Sequence, residues 1–405
     1  MKRIGTLSAA MIAAASLAAC GSGQSSDSSD AATTAAKPTG PITLGFAIGE
    51  TGFMGPYDLP AREAAQLAID DVNAKGGAAG RPFKIVSENM KSKPELSGTA
   101  ATAVLAKGAD VVVTSCDFDQ GSPAAIVAQT AGKLAFSTCA ASTSFGPSGI
   151  GPLAFTMATA AAVEGAATAE WAFNQHSVKT AYVLLDNTID FDKQSVAGFK
   201  ARFAKIGGKV VGSDTFKQGD QSIAAQITKI KQLGTKPDAI YLASYMPTQA
   251  SAIKQLRAAG LDMPILGDED LDGDYWKDAV PNVSNVYFST YASIYGDDPD
   301  PVVNKLVQRY VDAKGKRPDN AAFITGYAMV QALAKAITEA GGQTDGKLLA
   351  AKLETFSAEP FVLPTTFTKA QHIAFARTLR IQQITGGKTS FVTKADPKDV
   401  PVPTS

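Results

Sequence analysis

The feature that most limits the fold is an alternation of short apolar runs with helical patterns, which passes along the chain twice. In the first half, DVVVTSC (110–116) predicts a buried strand, and AREAAQLAIDDVNAKGG (61–77) predicts an amphipathic helix that ends at glycine. A further helix is predicted to begin near Pro123. The alternation restarts before TAYVLLD (180–186). Strands that alternate with helices form doubly wound parallel sheets, so the sequence predicts two α/β lobes with a cleft between them.

The ends of the predicted strands are the places to look for a binding site. In open parallel sheets, ligands bind at the carboxyl ends of the strands. The candidate binding loops are therefore the segments that follow the predicted strands, 50–58, 116–122, 138–143, 186–191, 244–248 and 267–270.

One of these loops belongs to the acidic stretch LGDEDLDGDYW (266–276), in which Asp268, Asp270 and Asp272 have the spacing of a calcium loop. Counted from Asp268, the twelfth position should be a bidentate glutamate, but it is Ala279. The stretch is therefore interpreted as the edge of a pocket and not as a metal site. The alternative is a set of solvated loop acids that cap helices.

The first residues, MKRIGTLSAAMIAAASLAAC, predict an export signal peptide over 1–20, because the apolar run behind Lys2 and Arg3 is too short to span a bilayer. The end of this run resembles a bacterial lipobox, which predicts that Cys20 is lipidated and holds the protein on a membrane. The alternative is an ordinary cleavage site with an incidental cysteine. Residues 21–41, rich in small polar residues, predict a flexible tether.

Composition and motifs argue against two classes of function. The chain has 38 basic and 38 acidic residues and no basic cluster, so no nucleic-acid partner is predicted. No nucleophile motif, phosphate-binding loop or metal-ligand spacing accompanies the two histidines, His176 and His372, which are interpreted as surface residues. Neither an enzyme nor a bound cofactor or metal is predicted.

Seven blocks of sequence follow one another along the chain: TGFMGPYDLPAREAAQLAIDDVNAKGG, DVVVTSC, GKLAFSTCAAST, GFKARFAKIGG, AIYLASYMP, PILGDED and ITGYAMVQALAKAITEAGG. In their order they resemble the periplasmic branched-chain amino-acid-binding proteins, the solute receptors of ABC importers. The resemblance extends from about Ile42 to about Thr385. It implies a type I periplasmic-binding-protein fold whose chain crosses between the lobes three times. Lobe one would be 42–157 plus 291–362 and lobe two 158–290 plus 363–392, before a tail, 393–405, predicted to be disordered.

The resemblance also implies which residues bind the ligand. An aromatic residue would cover it, a small-residue loop would offer amides and a hydroxyl, and an acid of lobe two would pair with an ammonium group. The implied positions in this sequence are Tyr57, Asp117, Phe118, Asp119, Ala140, Ala141, Ser142, Phe191, Tyr245 and Glu269.

Three of these positions depart from the family pattern. Asp117 and Asp119 stand where hydroxyl groups would receive the carboxylate of an amino acid, and Phe191 replaces a tyrosine. Leucine, isoleucine or valine is therefore in doubt, and a ligand with a positive charge or several donors fits better, against aromatic walls. The alternative is that Asp117 or Asp119 points away and caps the helix near Pro123.

Cys116 and Cys139 end two strands that should be neighbours, and an exported protein with two mature cysteines is expected to contain a disulfide. The alternative is a pair of buried thiols. The expected protein is a monomeric solute-binding lipoprotein of the cell envelope, which faces the periplasm or the cell exterior. It would capture an amino acid or a related amine- or amide-bearing compound and dock on an ABC permease with its ATPase. The alternatives are a ligand sensor of the same fold without transport and an importer receptor for an aromatic compound.

Overall fold

The structure is a computed structural model that describes residues 38–400. The predicted signal peptide, Cys20 and most of the predicted tether lie outside the described residues. The strands are β1 (Ile42–Ile48), β2 (Phe83–Asn89), β3 (Val111–Thr114), β4 (Leu134–Ser137), β5 (Ala154–Thr156), β6 (Thr180–Asp186), β7 (Lys209–Phe216), β8 (Ala239–Ala243), β9 (Ile265–Gly267), β10 (Val286–Thr290), β11 (Leu379–Thr385) and β12 (Lys388–Ala395). The α-helices are α1 (Gly55–Ala74), α2 (Pro94–Ala106), α3 (Phe118–Thr130), α4 (Ala161–Gln175), α5 (Asp190–Lys205), α6 (Ala224–Gln232), α7 (Thr248–Ala258), α8 (Pro301–Lys314), α9 (Phe323–Glu339) and α10 (Gly346–Leu353).

The first sheet is parallel throughout. Within residues 38–400 it contains five strands in the order β2-β1-β3-β4-β5. Every residue of β1, β3, β4 and β5 is buried. Strands covered on both faces have continuous apolar runs rather than alternation, which is the pattern of DVVVTSC.

The second sheet is mixed. Its seven strands within the described chain have the order β12-β11-β10-β9-β8-β6-β7. The strands from β6 to β10 pair in parallel, while β11 is antiparallel to both of its neighbours, β10 and β12. Strand β12 includes residues 393–395, so the prediction that these residues are disordered is wrong. Pairing with β11 orders a segment whose polar composition gave no strand signal.

Within the described residues, the chain passes between the two sheets three times. It leaves the first sheet after β5, returns to it after β10 through α8–α10, and leaves again before β11. Helix α9 packs on α1, whereas α4 packs on α5. The predicted fold class, two doubly wound α/β lobes joined by three connections, is confirmed. The residue limits of the lobes given above stay predictions.

The connections between the lobes are held by two buried arginines. The Arg377 guanidinium donates to the Met157 carbonyl oxygen (2.7 Å) and to the Thr365 hydroxyl (3.2 Å), which joins the first and third connections. Arg380 donates two bonds of 3.0 Å to the buried Asp298 carboxylate. A planar guanidinium that binds both oxygens of a carboxylate has a fixed orientation, so this pair ties the second connection to β11.

Two helices begin earlier than predicted. Helices α1 and α3 each contain a proline five residues after their first residue, Pro60 and Pro123, whereas the sequence predicts that the first helix begins at residue 61 and the second near Pro123. The real start of α3 is fixed by Asp117, whose carboxylate accepts a hydrogen bond from the Gln120 amide. Among residues 38–400, every helix is too short or too polar to cross a membrane.

Candidate functional site

A cavity lies where the carboxyl ends of the strands of the two lobes face each other. It contains about 410 Å³ of empty space, including its opening to solvent. Each of the six predicted binding loops contributes at least one residue to its wall. The lining residues are Phe53, Met54, Tyr57, Cys116, Asp117, Ala141, Ile189, Phe191, Tyr245, Glu269 and Asp270.

The cavity brings together Tyr57, Asp117, Ala141, Phe191, Tyr245 and Glu269 of the predicted ligand-binding residues. Sequence reasoning did not assign Phe53, Met54 or Ile189 to the site. All three lie inside the predicted loops 50–58 and 186–191, so their position in the chain was the signal that could have identified them. Whether the gathered residues bind a ligand stays a prediction.

The other predicted residues, Phe118, Asp119, Ala140 and Ser142, lie outside the cavity wall. The Ala140 amide, expected to face the ligand, donates to the Ser137 hydroxyl (2.9 Å) inside lobe one. The Ser142 hydroxyl donates to the Asp190 carboxylate across the cleft. The Asp119 carboxylate accepts a bond from the Asp190 amide (2.8 Å). Ser142 and Asp119 therefore join the two lobes beside the cavity.

Further contacts across the cleft close the cavity. The hydroxyl oxygens of Tyr57 and Tyr275 are 2.5 Å apart, and the Tyr57 hydroxyl lies 3.5 Å from an Asp270 carboxylate oxygen. The rings of Phe53 and Tyr245 have their centroids 5.3 Å apart. Because each pair joins one residue of lobe one to one of lobe two, the lobes are in a closed arrangement.

The acidic stretch 266–276 divides into two kinds of carboxylate. Asp268 accepts bonds from the Ser195 and Tyr241 hydroxyls, and Asp272 accepts from the Ala321 amide (2.8 Å) and the Thr290 hydroxyl (3.1 Å). These two acids are bound by protein donors. Glu269 and Asp270, on a short 3₁₀ helix (Glu269–Leu271), line the cavity instead. No group of acids, histidines and cysteines within residues 38–400 has the arrangement of a metal site.

Asp117 lies both at the start of α3 and in the cavity wall. Its carboxylate caps α3 through the Gln120 amide (2.9 Å) and also lines the cavity, with 7% of the residue exposed. Burial, together with the charge of Asp119, raises the pKa of Asp117 to about 7. The alternative interpretation, that one of these acids points away from the cavity and caps the helix, is half right for Asp117: it caps α3 but does not point away from the cavity.

Several buried carboxylates around the cavity have oxygens that accept no hydrogen bond from the described residues. They are one oxygen each of Asp270 and Glu164 and both oxygens of Asp192. Asp192 and Glu164 are fully buried and Asp270 is 6% exposed. Burial, followed by repulsion from neighbouring acids, raises the pKa of each of these three groups and of Glu269 well above its ordinary value.

Asp58 is a residue of the site that sequence reasoning missed. Its buried carboxylate accepts three bonds of 2.7 Å, from the Gly49 amide, the Ser115 hydroxyl and the Cys116 amide. It therefore fixes the loops after β1 and β3 to the first turn of α1. Burial raises the pKa of Asp58 to about 7, although these hydrogen bonds oppose the shift. Its position at the end of the candidate loop 50–58 was the signal in the sequence.

Cys116 and Cys139 form a disulfide that joins the loops after β3 and β4, and Cys116 lies in the cavity wall. The interpretation of His372 as a surface residue is wrong. Its ring is buried, stacks on Phe155 with centroids 3.6 Å apart and hydrogen bonds to the Ala154 carbonyl (2.8 Å). It packs where the third connection passes β5, a tertiary contact that the local sequence does not reveal.

Comparison with known proteins matches residues 41–389 to the family described as periplasmic binding protein. A relative from Pseudomonas aeruginosa, named leucine-, isoleucine-, valine-, threonine-, and alanine-binding protein, is 24% identical over 324 residues, which are 80% of this chain and 84% of the relative. The isoleucine complex of the branched-chain amino acid transporter substrate-binding protein LivJ from Streptococcus pneumoniae has a TM-score of 0.74 at 22% identity, over 87% of this chain and 99% of that one. A solute-binding protein of an ABC transporter from Rhodopseudomonas palustris, in complex with 3,4-dihydroxybenzoic acid, has a TM-score of 0.73 at 19% identity, over 89% and 99% of the two chains.

Proposed function

The chain belongs to the periplasmic binding protein family, and from that premise we propose that it is a lipid-anchored receptor of an ABC importer. It would capture a small polar solute, an amino acid or a related amine- or amide-bearing compound, and deliver it as a monomer to a permease. Proteins of this family bind the solutes of transporters and are not enzymes, and the same holds for this chain.

The observation that carries the proposal is the cavity between the strand ends of two separate sheets. Loops of both lobes supply its wall, so a bound solute would contact both lobes at once. A ligand that contacts both lobes stabilises the closed arrangement over an open one, because it gains its contacts with the second lobe only on closure. Closure of this kind gives a permease a means of distinguishing the loaded receptor from the empty one.

A second candidate solute is an aromatic compound. Four aromatic side chains, Phe53, Tyr57, Phe191 and Tyr245, form much of the cavity wall. A ring between such walls gains apolar burial and edge or face contacts. The structural relative from Rhodopseudomonas palustris that holds 3,4-dihydroxybenzoic acid has a similar fold. A role in sensing without transport would use the same cavity.

The test is a thermal-shift screen of the purified full-length chain against amino acids, amines, polyols and aromatic acids. A solute that binds the folded state raises the melting temperature by mass action. We expect a specific hit whose affinity in calorimetry falls at least about tenfold in Glu269→Ala, because a buried carboxylate that meets the ligand is lost. Asp278→Ala, the change of an exposed acid in the same lobe, is the matched control and should leave the affinity unchanged.

A screen in which no compound of any class raises the melting temperature would contradict the proposed function. A hit whose affinity is unchanged in Glu269→Ala would instead remove Glu269 from the site. The lipid anchor has a separate test, because Cys20→Ala should move the protein from the membrane fraction to the soluble fraction.

A further inference from the structure

The cavity wall contains carboxyl groups from both lobes and no basic group. Asp117 of lobe one faces Glu269 and Asp270 of lobe two, and the lining contains no lysine, arginine or histidine. Behind this wall lie two more acids, Asp192 in the first turn of α5 and Glu164 in the first turn of α4, both fully buried. Any charged group that enters the cavity therefore meets carboxylates on both sides.

At two helix starts beside the cavity, an amide that could bind a ligand carboxylate is already bound by an aspartate of the chain itself. A helix start attracts anions because its amides lack partners within the helix. At the start of α3 the Asp117 carboxylate accepts the Gln120 amide, and at the start of α5 the Asp119 carboxylate accepts the Asp190 amide. A ligand carboxylate near α3 would have to displace the Asp117 carboxylate from the Gln120 amide, and it would be repelled by Asp117.

The unpartnered oxygens indicate what the cavity lacks. Asp270 lines the cavity, and one of its carboxylate oxygens is buried and has no donor among the described residues other than the Asp192 carboxyl behind the wall. Asp192 is itself buried and, apart from this interaction with Asp270, neither of its oxygens has a hydrogen-bond partner among the described residues. Buried carboxylate oxygens are normally satisfied by donors, so a group with several N–H donors and a positive charge is the complement that this wall lacks.

The rest of the wall is mostly apolar, apart from the hydroxyl groups of Tyr57 and Tyr245. Phe53 and Tyr245 lie on one side with ring centroids 5.3 Å apart, and Met54, Ile189 and Phe191 complete the apolar surface. Such a surface favours an apolar body of limited size, and aromatic faces within reach of an ammonium group add cation–π attraction. A polyol or a sugar would leave most of its hydroxyls without partners against this part of the wall.

We propose that the cleft selects a primary amine that has an apolar body and no carboxylate, the compound that remains when an aliphatic or aromatic amino acid loses its α-carboxyl group. This inference rests on the proposed function, because it names the class of solute for the same cavity. The ammonium group lies between Asp117 and the pair Glu269 and Asp270, and the body lies against the aromatic side chains. Selectivity arises from the missing carboxylate, which the wall repels.

The experiment compares matched pairs of probes by calorimetry on the full-length chain. The pairs are 3-methylbutylamine with leucine, and 2-phenylethylamine with phenylalanine; benzoate tests a carboxylate without an amine. We expect at least one amine to bind at least about tenfold more tightly than its amino acid, since the two differ only by a carboxylate that would face like charge. Benzoate should give no measurable heat of binding.

The variant Asp117→Asn tests the cause. Asparagine keeps an oxygen that accepts the Gln120 amide, so the cap of α3 is retained while the charge is removed. The preference for the amine over the amino acid should fall at least about tenfold, because the repulsion of the carboxylate is weakened along with the attraction of the ammonium group. Asp278→Asn, an exposed acid outside the cavity, is the control and should keep the preference of the unaltered chain.

Three outcomes overturn the inference. They are an amino acid that binds as tightly as its amine or more tightly, measurable binding of benzoate, and failure of both amines to bind. In the first two outcomes the chain still binds a solute, so the proposed function stands and only the solute class is wrong. If the wider screen of solutes also finds no ligand, the proposed function fails as well.

Discussion

Asp192 illustrates the energetic cost of keeping the cleft ready for a ligand. Both of its carboxyl oxygens are buried, and among the described residues their one partner is the Asp270 carboxyl; burial and the charge of Asp270 raise the pKa of Asp192 well above its ordinary value. A buried carboxylate without donors loses the hydration that it has in the unfolded chain and gains nothing in return. Residues that are arranged for a ligand commonly reduce the stability of the free protein.

At the residue scale we therefore expect Asp192→Asn to stabilise the ligand-free protein. The amide has nearly the same shape, carries no charge and can donate a hydrogen bond to Asp270. The free energy of unfolding at about pH 8 should increase by about 1–3 kcal/mol, the range for an unsatisfied buried polar group. Denaturant unfolding measures it, and Asp278→Asn, which alters an exposed acid, should change it by less than about 0.5 kcal/mol. A loss of stability in Asp192→Asn would show that the carboxylate has a partner that the structure does not contain.

The positions of the site residues were predictable, but their partners were not. The rule that ligands bind at strand ends identified all six loops that form the cavity, because it depends only on the order of strands and helices. The roles of Ala140 and Ser142 depend on which donors lie beside them in three dimensions. The Ala140 amide has the Ser137 hydroxyl as a neighbour, and Ser142 has Asp190 from the other lobe, over 40 residues along the chain. No local pattern contains that information.

Helices α4 and α5 contact each other through glycine, and this contact supports the acidic wall. A Cβ atom on Gly165 would overlap the backbone of Ser195 in α5, and one on Gly198 would overlap the backbone of Ala162 in α4. The two helix axes are therefore as close as their backbones allow. Glu164 and Asp192 lie on these helices next to the contact, so its spacing helps to set the distance between the acids.

At the element scale we expect Gly165→Ala to destabilise the protein although alanine is the better helix former. Helix propensity alone would add about 1 kcal/mol of stability. Overlap with the Ser195 backbone forces the helices apart, and overpacking of this kind costs about 1–3 kcal/mol or more. Denaturant unfolding should show a net loss of stability, whereas in the control Gly234→Ala no atom lies within reach of the added methyl group. If Gly165→Ala instead stabilised the protein, the close approach of α4 and α5 would be refuted.

The type of most elements could be predicted from the sequence, and their ends could not. Apolar runs and helical periodicity identify strands and helices because the side chains that face the core recur with the period of the helix, or form a continuous run in a strand that is covered on both faces. The start of α3 was misplaced because a proline near a helix start is a common signal, while the cap that operates, Asp117, was also a candidate ligand residue. The end of strand β12, residues 393–395, was predicted to be disordered because the polar tail that follows it hides the pairing with β11.

At the scale of the whole molecule, the acids of the cleft impose a pH dependence on the stability of the free protein. A carboxyl group whose pKa is higher in the folded state keeps its proton over a pH range in which the unfolded chain has lost it. The folded state then binds more protons, and the free energy of unfolding falls as pH rises through that range. The buried acids with a raised pKa are Asp58, Asp117, Glu164, Asp192, Asp268, Glu269, Asp270 and Asp272.

Other groups oppose this trend but do not cancel it. Burial lowers the pKa of His176 and His372, so the unfolded chain binds more protons at these two sites near neutral pH. The pKa of Asp71, Asp214 and Asp238 is also lowered, mainly by hydrogen bonds from neighbouring donors, which outweigh the effect of burial. These three aspartates change stability only below their ordinary pKa of 3.8. Between that value and neutral pH, the eight buried acids and Asp119, whose pKa burial also raises, therefore act against two histidines.

We expect the ligand-free protein to melt at a higher temperature at about pH 5.5 than at about pH 8, because the raised pKa of Asp58 and Asp117, each about 7, lies between these values. Thermal denaturation followed by circular dichroism in both buffers measures the difference. In Asp192→Asn the difference should be smaller, since one acid that binds a proton only in the folded state is gone. A saturating amine should reduce it further, because the ammonium group replaces the protons as the partner of the carboxylates. Equal melting temperatures at the two pH values would mean that the acids of the empty cleft are ionised and already hold cations from solution.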